Sequence, residues 1–432
     1  MNKALRRVTY LSFFVLFFIL TPLFIMYAVG YRYNFDINTI EKNGAFYIKS
    51  YPRGAEIYID NIKTRHKTPH QLTNIQPGNH DGLIQKDGYL DWHKQLSVYS
   101  GETTFAEDIV LFLTDIQKTS FGRGSDNFLV NKQKNKYAYI DDYDLLDNNM
   151  LMITDIEQAK TQTISGIPLD HDLIDWSDDN QYLLLKYLDS YSVFNINQKK
   201  LINLEITNPD KIIWDDKESN ILWFLKNNKL YKHNIQNPDN PILVQINNPI
   251  ADFDLYNDYL VLQYNLDNNY FIQQLDKNNL DNVQTIENLN LGKLKILRAS
   301  DKQIIFILGS KLFIKQDFKD IISIPVTDAE LYGNRILLSN GHEIIQYNYE
   351  QDWQELIDRS SQIVSDIVWH PNGSYFLNEI NEITNITELD GRDKRNSLEI
   401  LNNPLKKLYL FNSEGDQLFI LTPEENFYLT IQ

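Results

Sequence analysis

The 432-residue sequence contains no cysteine. That absence excludes a disulfide scaffold, a thiol nucleophile, thiolate-held zinc and iron–sulfur ligation. Glycine and proline are sparse, at 17 and 13, and methionine is scarcer still, at 4. With 43% hydrophobic residues, this composition excludes collagen-like, low-complexity and wholly disordered chains. Cations are in deficit: 41 Lys and Arg face 58 Asp and Glu, a net charge of -17. Lys3, Arg6 and Arg7 come first, so the chain after residue 7 carries 38 basic and 58 acidic groups, a net of -20. A body that acidic repels phosphate backbones, which argues against nucleic acid and anionic envelope polymers as ligands. Aromatic residues, by contrast, are plentiful: 26 Tyr, 22 Phe and 6 Trp. Abundant Tyr, Phe and Ile favour strands over helices.

One apolar run decides the compartment. Val8 to Val29 holds 22 residues without a charge. As a helix at about 1.5 Å per residue it spans the hydrocarbon core. Pro22 lies inside it, where a membrane helix tolerates a kink. Lys3, Arg6 and Arg7 precede the run, so the positive-inside rule places residues 1–7 in the cytoplasm and the rest outside. A cleaved signal peptide competes, since Ala28-Val29-Gly30 resembles a small-residue cleavage site. The run exceeds the roughly 7–15 apolar residues of a signal peptide, which favours an uncleaved single-pass anchor over residues 8–30. Residues 31–43 read as a juxtamembrane linker.

Period-two alternation begins at residue 44. Strand candidates at 45–50, 56–60, 83–84, 92–98 and 103–113 are separated by the turn chemistry of Pro52 to Ala55, Thr68-Pro69, Pro77-Gly78 and Lys86 to Tyr89. This spacing predicts a small β-sandwich over 44–113. The ordered set Gly44, Ser50, Pro52, Gly54, Ala55, Tyr58, Asp60, Thr68, Pro69, Pro77, Gly78, Lys86, Gly88 and Tyr89 resembles the PEGA domain family. Arg53 stands where the family's name-giving Glu falls, and Asn61 replaces the usual Gly after Asp60. The resemblance implies an extracytoplasmic β-sandwich beside a membrane anchor, with structural residues and no catalytic ones.

The remainder repeats. Three segments, around Trp176, Trp214 and Trp369, each run from an apolar strand ending in Trp through a polar turn to a second apolar strand. Weaker copies align at Val130, Phe253, Arg298, Leu331 and Phe411. A period near 40 with several strands per unit is the signature of propeller blades. Trp176-Ser177-Asp178-Asp179 and Trp369-His370-Pro371-Asn372-Gly373 resemble the corner of TolB-like or WD40-like propellers. The expected class is all-β apart from the N-terminal helix, a sandwich followed by a β-propeller over 128–432. Eight blades are favoured, with seven as the alternative. Only 21 residues follow Phe411, so the stretch 114–127 is either a linker or the strand that closes the ring.

Candidate chemistry is thin. G-x-S-x-G, H-E-x-x-H, P-loop and EF-hand patterns do not occur. His66 and His70 are four apart but separated by a turn, and read as loop histidines. His370 reads as a solvated turn residue. Asp141-Asp142, Asp178-Asp179, Asp215-Asp216 and Asp301 recur at corners, where Asp caps backbone N–H groups. Trp176, Trp214 and Trp369 read as blade anchors filling the core between blades. Trp92, Trp223 and Trp353 fall outside that register and are the candidates for exposed recognition. No catalytic, cofactor or metal-ligand set is assigned.

The sequence thus reads as a bacterial cell-envelope protein held in the cell membrane through residues 8–30. It displays a PEGA-like sandwich, as spacer or second contact, and an acidic propeller that binds a protein partner. The alternatives are an envelope glycan or peptidoglycan binder, and a propeller-fold enzyme of the lyase, cyclase or peptidase-associated kind.

Overall fold

The computed structural model describes residues 3–34, 38–125, 127–141, 150–165, 171–237, 240–267, 269–316, 321–403 and 407–432. Two compact units emerge. The first comprises Met1–Gln117, Thr387–Leu398 and Thr430–Gln432; the second comprises Lys118–Ile386 and Glu399–Leu429.

In the first unit, helix α1 (Lys3–Ala28) runs unbroken through Pro22. Its stretch Arg6–Ala28 has a mean hydropathy of 2.3 and no burial, and is long and apolar enough to cross a membrane. The helix stops where Gly30 takes a φ of +102°, a conformation that glycine adopts at little steric cost. The segment 31–43 is not a plain linker. It forms a hairpin of β1 (Tyr31–Asn34) and β2 (Thr39–Lys42), with Tyr31 opposite Lys42. Four-residue strands are too short for alternation to register in the sequence. Their placement rests on distant partners: Arg32 Nη2 reaches Asn74 Oδ1 at 3.5 Å and Asn43 Nδ2 donates to Asn74 O at 3.1 Å.

The sandwich has seven strands: β3 (Gly44–Tyr51), β4 (Glu56–Ile59), β5 (Ile62–Lys67), β6 (His70–Ile75), β7 (Gly78–Gln85), β8 (Trp92–Val98) and β9 (Thr103–Val110). One sheet is ordered β6-β3-β9, with β3 and β9 parallel, and the other β5-β4-β7-β8. Phe46 and Ile48 of β3, Ile57 and Ile59 of β4, Ile84, Trp92, Leu96 and Ile109 meet between the sheets. Their alternation with polar residues is what gives each sheet one buried face.

The second unit contains eight four-stranded antiparallel sheets among the described residues. Seven are continuous, over 129–165, 172–207, 211–243, 250–289, 294–325, 328–359 and 364–402. The eighth joins β10 (Gln117–Arg123) to the last three strands, Leu408–Phe411, Gln417–Leu421 and Glu425–Thr430. Strand β10 lies inside the stretch 114–127. Inner strands are apolar on both faces, as in Leu183-Leu184-Leu185 and Ile304-Ile305-Phe306, all fully buried. Each sheet therefore needs a neighbour on both sides. Clusters of buried side chains join the first sheet to the second, and so on to the sixth. Tyr332 packs on Trp369 between the sixth and seventh, His370 packs on Phe411 between the seventh and eighth, and Tyr137 and Phe419 share a cluster between the eighth and first.

The chain leaves the second unit after Ile386 and returns at Glu399. The intervening segment lies along β8. Lys94 Nζ, wholly buried, pairs with Glu388 Oε2 at 2.8 Å and donates to Asp390 O at 2.6 Å. Trp92 Nε1 donates to Glu388 Oε1 at 3.0 Å, and the Gln95 amide donates to Asp393 Oδ2 at 3.0 Å. Arg392 grips Asp390 and donates to Phe105 O at 2.7 Å. An ion pair this enclosed is strongly destabilising to break from one side, because the survivor stays charged and buried. Replacing Lys94 by Met is expected to lower the stability of the first unit by about 3–5 kcal/mol. Thermal denaturation measures this, and the Lys94→Met/Glu388→Gln double variant should recover part of the loss.

Candidate functional site

Two places gather the polar chemistry. The first is the set of strands that open the eight sheets. Each is an edge strand of its sheet, so alternate N–H groups face away from the sheet's own ladder and need another acceptor. Carboxylates of a neighbouring opening strand supply it between the second and third, fourth and fifth, and sixth and seventh sheets. Asp175 accepts from its own neighbour Trp176 N at 2.8 Å and from Trp214 N of the next sheet at 3.4 Å. In the same way Asp252 reaches Leu294 N at 2.7 Å and Asp254 reaches Ile296 N at 2.7 Å. Asp328 reaches Ile367 N at 3.3 Å and Glu330 reaches Trp369 N at 2.7 Å. Lys211 Nζ ties three sheets, reaching Asp252 Oδ1 at 3.1 Å, Phe253 O at 2.5 Å and Leu294 O at 3.3 Å. These acids stand at alternate positions in apolar strands, as in Asp252-Phe253-Asp254 and Asp328-Ala329-Glu330. That alternation of acidic and apolar residues is the sequence signal of their role.

Burial pushes the Asp175 carboxyl up to about 6 and raises Asp254 as well. Asp366 is also pushed up to about 6, by burial first and then by the nearby Glu379 and Asp328 charges. Glu379 itself is occupied: Lys407 Nζ pairs with it at 3.0 Å, Ser365 Oγ donates to it at 3.1 Å, and Tyr409 OH bonds to it.

At the corners, Asp215 Oδ1 accepts from Lys217 N at 2.9 Å and Glu218 N at 3.1 Å, and Asp179 Oδ1 accepts from Gln181 N at 3.0 Å. Asp215 and Asp216 also share Lys277. Asp301 accepts from Tyr259 OH at 2.7 Å. Asp142 lies outside the described residues. His370 is not solvated. It is 1% exposed, with Nδ1 against Asn372 Oδ1 at 2.9 Å and Nε2 against Gly415 O at 3.0 Å. Gly415, at φ +77°, leaves the space: a Cβ there would sit 2.4 Å from the His370 ring. His66 and His70 stack face to face at 3.7 Å. Among the described residues no group of three or more His, Asp or Glu is arranged to hold a metal.

All eight repeat positions, Val130, Trp176, Trp214, Phe253, Arg298, Leu331, Trp369 and Phe411, fall on the opening strand of a different sheet. Trp176, Trp214 and Trp369 are buried there. The Trp176 and Trp369 indoles donate to Leu129 O at 3.2 Å and Glu330 O at 3.0 Å on the preceding sheet. Two of the three recognition candidates are corrected. Trp92 is buried in the sandwich core, and Trp223 is buried on the second strand of its sheet, donating to Asp215 Oδ2 at 2.8 Å. Trp223 lies on a strand paired on both edges and covered on both faces, which exposes nothing whatever its register; Trp92 lies on the edge strand β8 and turns into the core between the two sandwich sheets. Trp353, on the outermost strand of the sixth sheet, is half-buried and donates to Gln351 Oε1 at 3.0 Å.

The second place is the sandwich signature. Ser50 and Thr68 are buried and bond hydroxyl to hydroxyl at 2.7 Å. Thr68 Oγ1 also accepts from Ala55 N at 3.1 Å, and Gly54 N donates to Thr68 O at 2.8 Å. Ser50, Pro52, Gly54, Ala55, Thr68 and Pro69 therefore form one lock between two turns. Asp60 and Asn61 both take positive φ, as a two-residue type I′ hairpin requires. Burial opposes ionisation of Asp60, yet bonds from His80 and the Asp81 amide hold its carboxyl below the usual range. Pro77 and Gly78 make the turn into β7. Gly54, Tyr58, Gly88 and Tyr89 line a polar groove of about 560 Å³ with Glu56, Lys67, Lys86 and Asp91.

Residues 43–108 match the PEGA domain family. No curated protein matches the chain in sequence. Among solved structures, a eukaryotic initiation factor is similar at 11% identity and a TM-score of 0.52, covering 73% of this chain and 89% of that one. The C-terminal WD40 domain of Sif2 follows at 10% identity and 0.49, covering 73% and 98%. Dihydro-heme d1 dehydrogenase NirN gives 10% and 0.46, covering 65% and 67%. At such identities the likeness speaks for fold alone: the chain joins an N-terminal apolar helix, a PEGA domain and a β-propeller.

Two outcomes follow. Thr68→Val strands the Ala55 amide and leaves the Ser50 hydroxyl only its bond to Pro52 O, and should lower PEGA-domain stability by about 1–3 kcal/mol, with Thr68→Ser close to wild type in thermal denaturation. Asp366 binds its proton more tightly folded than unfolded. The stability it contributes is therefore present below about pH 4 and lost as pH rises through about 6. Asp366 is half-buried, so screening reduces that loss to about 1–2 kcal/mol. Asp366→Asn should flatten the fall in chemical denaturation between pH 4 and 7. Burial pushes His370 down, so its contribution runs the other way and is lost as pH falls below 6.5.

Proposed function

We propose that this chain is an uncleaved, single-pass membrane protein that displays a PEGA domain and a propeller outside the cell membrane to bind a protein partner without catalysis. Its N-terminus is cytoplasmic, since Lys3, Arg6 and Arg7 precede the uncharged run Val8 to Val29. The eight four-stranded sheets are eight blades of one ring. The observation that carries the reading is the occupation of the ring's acids. Asp175, Asp252, Asp254, Asp328 and Glu330 of its opening strands are spent on neighbouring backbone amides, and Glu379 is held by Lys407, Ser365 and Tyr409. Groups fixed in this way hold sheets together; they are not poised to accept a substrate proton. A net of -20 beyond residue 7 favours a partner with a basic face. Trp353 is the aromatic retained for partner contact. Trp92 and Trp223, the other two candidates for sugar stacking, are buried.

The experiment is in the source cell. The tagged full chain should resist alkaline extraction of membranes, be digested by protease added from outside, and cross-link to one dominant basic protein. Release by alkali, protection from the protease, or turnover of an envelope substrate lost on a ring substitution would each contradict the reading.

A further inference from the structure

The end of the PEGA unit next to α1 carries a surface that its fold does not explain. Only Val29 and Gly30 separate α1 from β1. The joint is fixed rather than loose. The Arg32 guanidinium lies 3.6 Å over the Tyr27 ring and donates to Tyr27 O at 2.6 Å, and the Asn43 amide donates to Gly30 O at 2.9 Å. The β8–β9 turn is pressed onto the same joint. Ser100 Oγ donates to Lys42 O at 3.1 Å, and a Cβ on Gly44 would sit 2.6 Å from Tyr99 O. Around this joint the apolar side chains point outward: Tyr27, Tyr31 and Tyr33 are exposed, Ile40 is 53% exposed and Tyr99 is 63% exposed. Arg32 and Lys42 lie among them. Glu41 is engaged by Asn34 Nδ2 at 3.2 Å.

We propose that hairpin β1–β2 and the Tyr99–Gly101 turn form a collar seated in the phospholipid headgroup layer where α1 leaves the bilayer. The proposal rests on reading α1 as an uncleaved membrane helix. A helix that fills the hydrocarbon core delivers residue 31 into a headgroup layer roughly 5–8 Å deep, and the fixed joint keeps the hairpin there. Tyrosine is the ring suited to that layer, apolar in its body and polar at its tip. Arg32 and Lys42 supply cations to lipid phosphates, each gaining most where the surface is anionic. The continuity with α1 makes lipid, rather than a soluble protein, the occupant of this surface.

The chain's lack of cysteine permits single-site labelling. Ile40→Cys and Tyr99→Cys, both exposed, carry an environment-sensitive fluorophore in the full chain reconstituted into phosphatidylcholine/phosphatidylglycerol vesicles with nitroxide-headgroup lipid. Tyr51→Cys and Leu90→Cys are references. They lie at the far end of the sandwich strands, about 26 Å along an eight-residue strand. Flotation first establishes that the chain stays with the vesicles. The collar predicts quenching at 40 and 99 severalfold stronger than at 51 and 90, abolished by detergent. Equal quenching at all four sites in floating protein overturns the collar and leaves the anchor standing; the surface is then free for a protein. Failure to float removes the anchor and the collar together.

Discussion

The structure of the second unit turns on one constraint: a four-stranded sheet with apolar side chains on both faces is unstable alone. Leu184 cannot be covered by its own sheet, and neither can Ile305; both are fully buried because another sheet lies against them. Stacking solves the faces and leaves the edges. Every opening strand still presents N–H groups that its own ladder does not use, and Asp175, Asp252, Asp254, Asp328 and Glu330 accept from them across the gap to the next sheet. The last sheet lacks a strand within its own sequence, and β10 fills the vacancy from the other end of the domain. Burial, edge satisfaction and chain closure are one problem solved three ways.

The same physics governs the first unit. Lys94 is buried without residual exposure, which is tolerable only because Glu388 and Asp390 surround it. The partners come from a segment almost three hundred residues later in the chain. In the PEGA domain, the signature residues hold geometry rather than chemistry: Thr68 completes the valences of Ser50 and Ala55. This explains why the signature concentrates on turns. The polar groove beside it is lined by the same turns.

How much of this was legible in the sequence follows from range. The apolar run, the strand alternation and the turn residues are local, and α1, the sandwich strands and the PEGA domain were readable from them. The eight repeat positions each fall on an opening strand, including unpromising Arg298 and Leu331, because a period of about 40 reports chain geometry rather than residue type. What failed was non-local. Trp92 and Trp223 lie outside the repeat register, which points to the surface, but burial is set by covering strands and by acceptors, here Glu388 and Asp215. His370 sits in a turn motif and is nonetheless enclosed by Gly415 of the adjacent sheet. The hairpin 31–42 is held by Asn74, invisible from its own residues. The strand acids were in plain view as alternating Asp and Glu; only the neighbouring sheet's amides reveal their role.

The central claim is that those acids are structural acceptors for the edge amides of adjacent sheets. Amide hydrogen exchange on the full chain tests it most directly, resolved at Trp214, Leu294, Ile296, Ile367 and Trp369. If the claim holds, these five exchange as slowly as the ladder amides of the second strands, such as Leu184 and Ile305. Exchange at the rate of open turns, with the second-strand amides still protected, would contradict it and return the acids to the pool of groups available for chemistry.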